Sequence, residues 1–209
     1  PFLFVRSDDM SKTIEYYYAI MSGFAYLGEP ELRRIASRAG ATISYKPIDI
    51  VAVFAASEIV PPAKQSPARR AYRDAELKRW SETRGLPINT APKHWPVAPK
   101  DASCAVLAAR DLGLDPGDLS TAFLRGVWAE DKNIADKETI VSIVTDVFPS
   151  KATEILDRAF TSETGAEFER TSKEAIAAGV FGSPTFIVDG EMFFGQDRLD
   201  FLARTLSVP

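Results

Sequence analysis

The sequence predicts an α/β fold in which a βαβ…ββα frame is split by a large all-helical insertion. Three observations predict it. A β-α-β pattern fills residues 14–50, a proline-led hairpin and a helix start fill residues 184–199, and successive capped helical segments lie between. On this reading residues 1–50 and 179–209 form the frame and residues 51–178 the insertion.

In chain order, residues 2–5 suggest a short strand or strap. Residues 14–21 are aromatic and apolar on both faces, as a central parallel strand should be, and stop at Ser22-Gly23. Phe24, Leu27, Ile35 and Ala39 recur at helical spacing up to Gly40, with Pro30 expected to kink that helix or mark its start. Residues 41–50 alternate as a second strand, completing a short right-handed crossover unit. Pro61-Pro62 and Pro67 then break the chain. Ser66-Pro67 is a cap and first turn for a helix ending before Gly85, and residues 86–100 are a proline-rich loop. Helices are expected at 101–110, 115–128, 136–147, 150–160 and 163–178, each near a capping residue. Pro184 opens an apolar run of β-formers, Asp189-Gly190 is a two-residue hairpin turn, and Gln196-Asp197 begin the last helix. A proline at the head of a strand, beside an N-terminal βαβ unit, suggests a thioredoxin-like end to the fold.

Composition narrows the function. The 209 residues carry a net charge of -4, and the basic run Arg69, Arg70, Arg73, Lys78, Arg79 is broken by Asp74 and Glu76. That run reads as a solvated helix face, so nucleic acid is not an expected partner. The one cysteine, Cys104, cannot form an intramolecular disulfide and fits a reducing compartment. One histidine and one cysteine make a zinc site unexpected. No apolar run reaches membrane-spanning length and no charged-then-apolar leader is seen, so a cytoplasmic protein is expected.

In a thioredoxin-like frame the reactive group sits where strand one meets helix one, at free amides and the positive end of the helix dipole. The four residues there are Ser22-Gly23-Phe24-Ala25, which excludes dithiol chemistry. A serine hydroxyl at that point can instead donate to a thiolate brought by a ligand, whose pKa the dipole lowers. Glutathione is the evident candidate. Its cysteinyl main chain would pair with Ser183, before Pro184, and its γ-glutamyl end with Gln196 and Asp197.

These residues carry a resemblance. Val180-Phe181-Gly182-Ser183-Pro184-Thr185, Gly195-Gln196-Asp197-Arg198-Leu199 and Tyr16-Tyr17-Tyr18-Ala19-Ile20-Met21-Ser22 resemble motifs of the 2-hydroxychromene-2-carboxylate isomerase family and the related kappa-class glutathione transferases. The segment 124–134, with Val127-Trp128 and Asn133-Ile134, resembles a family segment that closes over the site. The resemblance implies a glutathione-dependent isomerase of an aromatic-degradation pathway. It would convert 2-hydroxychromene-2-carboxylate, or a close analogue, to trans-o-hydroxybenzylidenepyruvate. It implies Ser22 as the catalytic residue, Gly23, Phe24, Ser183, Gln196 and Asp197 as glutathione-binding residues, and a homodimer. Lys64 and Trp128 are candidate contacts for the substrate or a carboxylate. Three departures from the family pattern are seen: Ser22-Gly23-Phe24 replaces Ser-Pro-Tyr, Ala19 replaces an aspartate, and Ile59 replaces an asparagine. A transferase of another electrophile and a non-catalytic glutathione-binding module are the alternatives.

Overall fold

A computed structural model describes residues 11–208, so the expected strand at 2–5 lies outside the described residues. The order is β1 (Thr13–Tyr18), α1 (Gly23–Ala39), β2 (Thr42–Pro47), α2 (Ile50–Ala56), a 3-10 turn (Pro62–Lys64), α3 (Pro67–Arg84), α4 (Lys100–Asp111) and α5 (Pro116–Trp128). It continues with α6 (Lys137–Val147), α7 (Ala152–Ala159), α8 (Ser162–Ala177), β3 (Thr185–Val188), β4 (Glu191–Phe194), a second 3-10 turn (Gln196–Arg198) and α9 (Leu199–Thr205). One four-stranded sheet has the order β2-β1-β3-β4. The β1–β2 pair is parallel, whereas β3 runs antiparallel to β1 and β4 antiparallel to β3.

β1 lies in the middle of this sheet, and its Ile14, Tyr16, Tyr17 and Tyr18 are buried. Tyr16 stacks on Tyr18 at 4.3 Å and on Phe186 of β3 at 5.3 Å. On the opposite face Tyr17 lies beneath the Lys46 ammonium, which pairs with Glu15 at 2.5 Å. The strand is shorter than its apolar run because Ala19, Ile20 and Met21, all buried, turn back toward it: the Ser22 amide donates to the Ala19 carbonyl at 2.9 Å.

α1 is continuous from Gly23 to Ala39, so Pro30 neither starts nor interrupts it. Pro30 occupies the solvent side, while buried Leu27, Leu32 and Ile35 hold the turns on either side of it. β2 ends earlier than its alternation suggests because Asp49 caps α2, its Oδ1 accepting from the Val51 and Ala52 amides. α2 was not anticipated. Ser66, Asp115 and Asp136 cap α3, α5 and α6 as expected, but Ser150 does not cap α7, whose N-cap position is Lys151. Asp189 and Gly190 both have positive φ, 51° and 83°, as a tight hairpin turn requires. The helices and the sheet share one hydrophobic cluster, with α5 and α3 packed on α1 and α4 packed against β2.

Candidate active site

Ser22 is the N-cap of α1. Its Oγ accepts from the Ala25 amide at 3.2 Å, and its hydroxyl faces the Ser183 carbonyl at 3.4 Å, a long contact that is easily redirected. No acidic side chain occupies the first turn of α1, so no local carboxylate offsets the positive end of the dipole. The Gly23 and Phe24 amides, in that first turn, have no backbone acceptor among the described residues.

Ser183 is fastened beside it. Its Oγ accepts from the Ala19 amide at 2.9 Å, and the Ser183–Pro184 peptide is cis. The Pro184 carbonyl accepts from the Gly195 amide, and Thr185 Oγ1 donates to the Gly182 carbonyl. The Ser183 peptide groups thus have no backbone partner among the described residues, and the Ser183 carbonyl meets the Ser22 hydroxyl. Ala19, small and buried, lies where its amide and the Ser183 hydroxyl meet.

The turn before Ser22 rests on two indoles. The Met21 carbonyl accepts from Trp95 Nε1 at 3.1 Å and from Trp128 Nε1 at 3.2 Å. Trp128 is fully buried and thus supports the turn from below; it presents no surface to a ligand. Its six-membered ring also covers Gly23, where an added Cβ would lie 3.0 Å from Cζ2. A side chain at Gly23 would crowd this ring.

Gln196 and Asp197 part ways. Gln196 is buried, its Oε1 accepts from Arg84 at 3.3 Å, and its Cβ packs on Gly28 of α1. Asp197 is exposed, at the 3-10 turn that packs on α1. Gly28 follows Ser22 by six residues, about 9 Å of helix, a span that a tripeptide covers. Lys64 is also exposed; it lines a cavity of about 470 Å³ with Glu58, Ile59, Val60, Gln65, Ser66 and Arg69.

Two residues at this site escaped the sequence reading. Trp95 was part of an undifferentiated loop, and Arg73 was grouped with a solvated basic face. The structure leaves Arg69, Arg70, Lys78 and Arg79 exposed but turns Arg73 inward over Trp95 and Trp128. A signal existed: Arg73 precedes the buried Leu77 by four residues and shares its helix face. Burial pushes the Arg73 pKa down, against the pull of Asp74. Cys104 takes no part in this arrangement. It is buried on α4, bonds to the Thr164 carbonyl, and burial pushes its thiol up to about 11.

A thioredoxin frame, with serine in place of a redox pair at the head of α1, defines the class. The chain belongs to the family of DSBA-like thioredoxin domains, whose model matches residues 13–207. Within that class it is 33% identical to the 2-hydroxychromene-2-carboxylate isomerase of Sphingobium xenophagum, over 94% of this chain and 99% of that one. It is 24% identical to human glutathione S-transferase kappa 1, over 94% of this chain and 92% of the relative. A solved structure of a 2-hydroxychromene-2-carboxylate isomerase superposes with a TM-score of 0.77 at 22% identity, covering 93% of this chain and 94% of that one.

Proposed function

We propose that this protein is a glutathione-dependent isomerase acting on 2-hydroxychromene-2-carboxylate or a close analogue. One observation carries the reading. The Ser22 hydroxyl, at an uncompensated helix start, meets the carbonyl of Ser183, whose main chain has no backbone partner among the described residues. The name of one relative supports an isomerase and that of another supports glutathione as the thiol.

The residues present suit a small thiol peptide. The Ser183 amide and carbonyl offer a strand-like pairing to a cysteinyl unit. The Gly23 and Phe24 amides favour an anion at the helix start, and the exposed Asp197 carboxylate suits the ammonium of a γ-glutamyl group. Gln196 would contribute by fixing the 3-10 turn that presents Asp197, since it is buried and its Oε1 accepts from Arg84. When bound, glutathione supplies a sulfur nucleophile. Ser22 would donate a hydrogen bond to the anionic atom at the head of α1, and the dipole there stabilises negative charge. Lys64 is exposed on a separate cavity wall and is available to a carboxylate.

Calorimetry with millimolar glutathione tests the first step, and an absence of binding heat sinks the proposal. Ser22→Ala tests the second. It should cut kcat roughly 10²-fold, as loss of one preorganised donor does, while glutathione affinity falls less than about 10-fold. The ultraviolet thiolate band of bound glutathione should titrate at higher pH in Ser22→Ala than in the parent. The kinship to a kappa transferase favours a second reading, conjugation of another electrophile, which predicts that a glutathione adduct accumulates. Unchanged turnover in Ser22→Ala would refute Ser22 as the catalytic residue, and glutathione binding without any turnover in the parent would leave the binding-module reading. The homodimer and the cytoplasmic location belong to the same proposal; sedimentation velocity tests the first.

A further inference from the structure

Arg73 sits on the inner face of α3 under unusual conditions for a cation. Its guanidinium carbon lies 4.6 Å from the centroid of the Trp95 ring, 5.4 Å from Trp128 and 5.9 Å from Phe24. Its side chain keeps only 16% of its exposure. Its ion-pair partner among the described residues is its chain neighbour Asp74, and the 3.7 Å between Nη1 and Oδ1 is too long for a hydrogen bond. Asp74 is itself half exposed, so its charge is largely spent on water. Unlike Arg84 Nε, none of the Arg73 nitrogens is sealed from solvent without a partner. The donors are thus largely desolvated, uncommitted and still reachable.

An arginine cannot shed its charge to relieve burial. Aromatic faces compensate it in part, but they engage the flat of the guanidinium and leave its edge, a fork matched to a carboxylate. The rings around it belong to the site already described. Trp95 and Trp128 hold the Met21 carbonyl, and Phe24 is the second residue of α1. The Arg73 guanidinium therefore lies beside the first turn of α1, next to a half-buried indole and a half-buried phenyl ring.

We propose that Arg73 is the specificity determinant for the acceptor substrate, its guanidinium pairing with the carboxylate of an aromatic acid whose ring rests against Trp95 and Phe24. The inference rests on the proposed glutathione-dependent reaction for the presence of such a substrate near Ser22. It adds the residue that distinguishes an acid from its neutral isostere. Lys64 and Arg69, on the separate cavity wall, are not required for that discrimination.

The test is a tryptophan-fluorescence titration with trans-2-hydroxycinnamate and with its carboxamide, made on the parent, Arg73→Lys and Arg73→Met. The parent should bind the acid at least ~10-fold more tightly than the amide, as a charge-assisted pair implies. Arg73→Met should weaken acid binding by about 10- to 100-fold and change amide binding less than about 2-fold, so the preference disappears. Arg73→Lys keeps the charge, loses the fork and should fall between; it decides the matter if Arg73→Met does not fold. A parent with no preference for the acid overturns the proposal. So does a preference that survives in Arg73→Met, or a loss shared equally by acid and amide, which marks a brace for the indoles. Glutathione calorimetry on the same samples separates the two readings. Absent glutathione binding with an intact acid preference refutes the proposed reaction and leaves the Arg73 assignment standing.

Discussion

Gly23→Ala tests the claim that packing, not ligand access, sets the residue after Ser22. An added Cβ would lie 2.9 Å from Leu77 Cδ2 and 3.0 and 3.1 Å from Trp128 Cζ2 and Cε2. Leu77 has a flexible end that can yield. Trp128 cannot: it is fully buried and its indole nitrogen is bonded to the Met21 carbonyl. Overpacking of this kind costs about 1–3 kcal/mol. The alanine itself returns about 0.4–1 kcal/mol through helix propensity and a less flexible unfolded chain. The net expectation is a loss of about 1–2 kcal/mol, or about 2–8 °C in Tm for a chain of this size. Urea unfolding followed by tryptophan fluorescence measures it, and the native spectrum should shift as the Trp128 ring is displaced. Gly23→Ala/Leu77→Ala relieves the 2.9 Å contact but not those to the indole, so it should not recover the parent's stability. A Gly23→Ala protein as stable as the parent would refute the reasoning.

Glu29 is buried on α1 near Tyr16 and Tyr45, and neither of its carboxylate oxygens has a hydrogen bond of ordinary geometry among the described residues. Burial pushes its pKa up from 4.5 to about 7, against the opposing tyrosine hydroxyls and Arg33. The folded value exceeds the unfolded one, so the native state holds more protons between them. Stability present below about pH 4.5 is thus lost as pH rises through about 7, a contribution of about 3 kcal/mol. Glu29→Gln should flatten that slope and be the more stable protein at pH 8; parallel urea titrations from pH 5 to 8 that retain the same slope would contradict it. Gly28→Ala should displace the Gln196 turn, because an added Cβ would lie 2.7 Å from Gln196 Cβ. A loss of about 1–3 kcal/mol is expected, with weaker glutathione binding in calorimetry. The Cys104 thiol should ignore Ellman's reagent in the native protein at pH 8 and react fully in denaturant, since it is buried and its pKa is raised to about 11.

Much of the frame was legible because local rules govern it. The polar caps Ser66, Asp115 and Asp136, the αL glycines Gly40 and Gly85, and the Asp189-Gly190 turn act over a few residues through sterics and short-range hydrogen bonds. The β-α-β pattern, the absence of a redox pair at 22–25 and the hairpin opened by Pro184 follow from the same order of residues. Ser22 and Ser183 were named from that order alone. Whether they met was a separate matter, decided by the pairing of β3 with β1 across more than 160 residues.

The orientation of the rest belongs to tertiary structure. Arg73 and Arg70 look alike in sequence, and only the packing of α3 against α1 turns one inward and leaves the other in water. Gln196 and Asp197 are adjacent acceptors, yet the contact with Gly28 and Arg84 buries the first and exposes the second. The Met21 carbonyl gains its two donors from residues 74 and 107 positions away. No local propensity encodes such contacts. They arise when α3, α5 and the loop before α4 close over the end of the central strand, so residue order places Ser22 at the head of α1, and the packed chain selects the side chains that surround it.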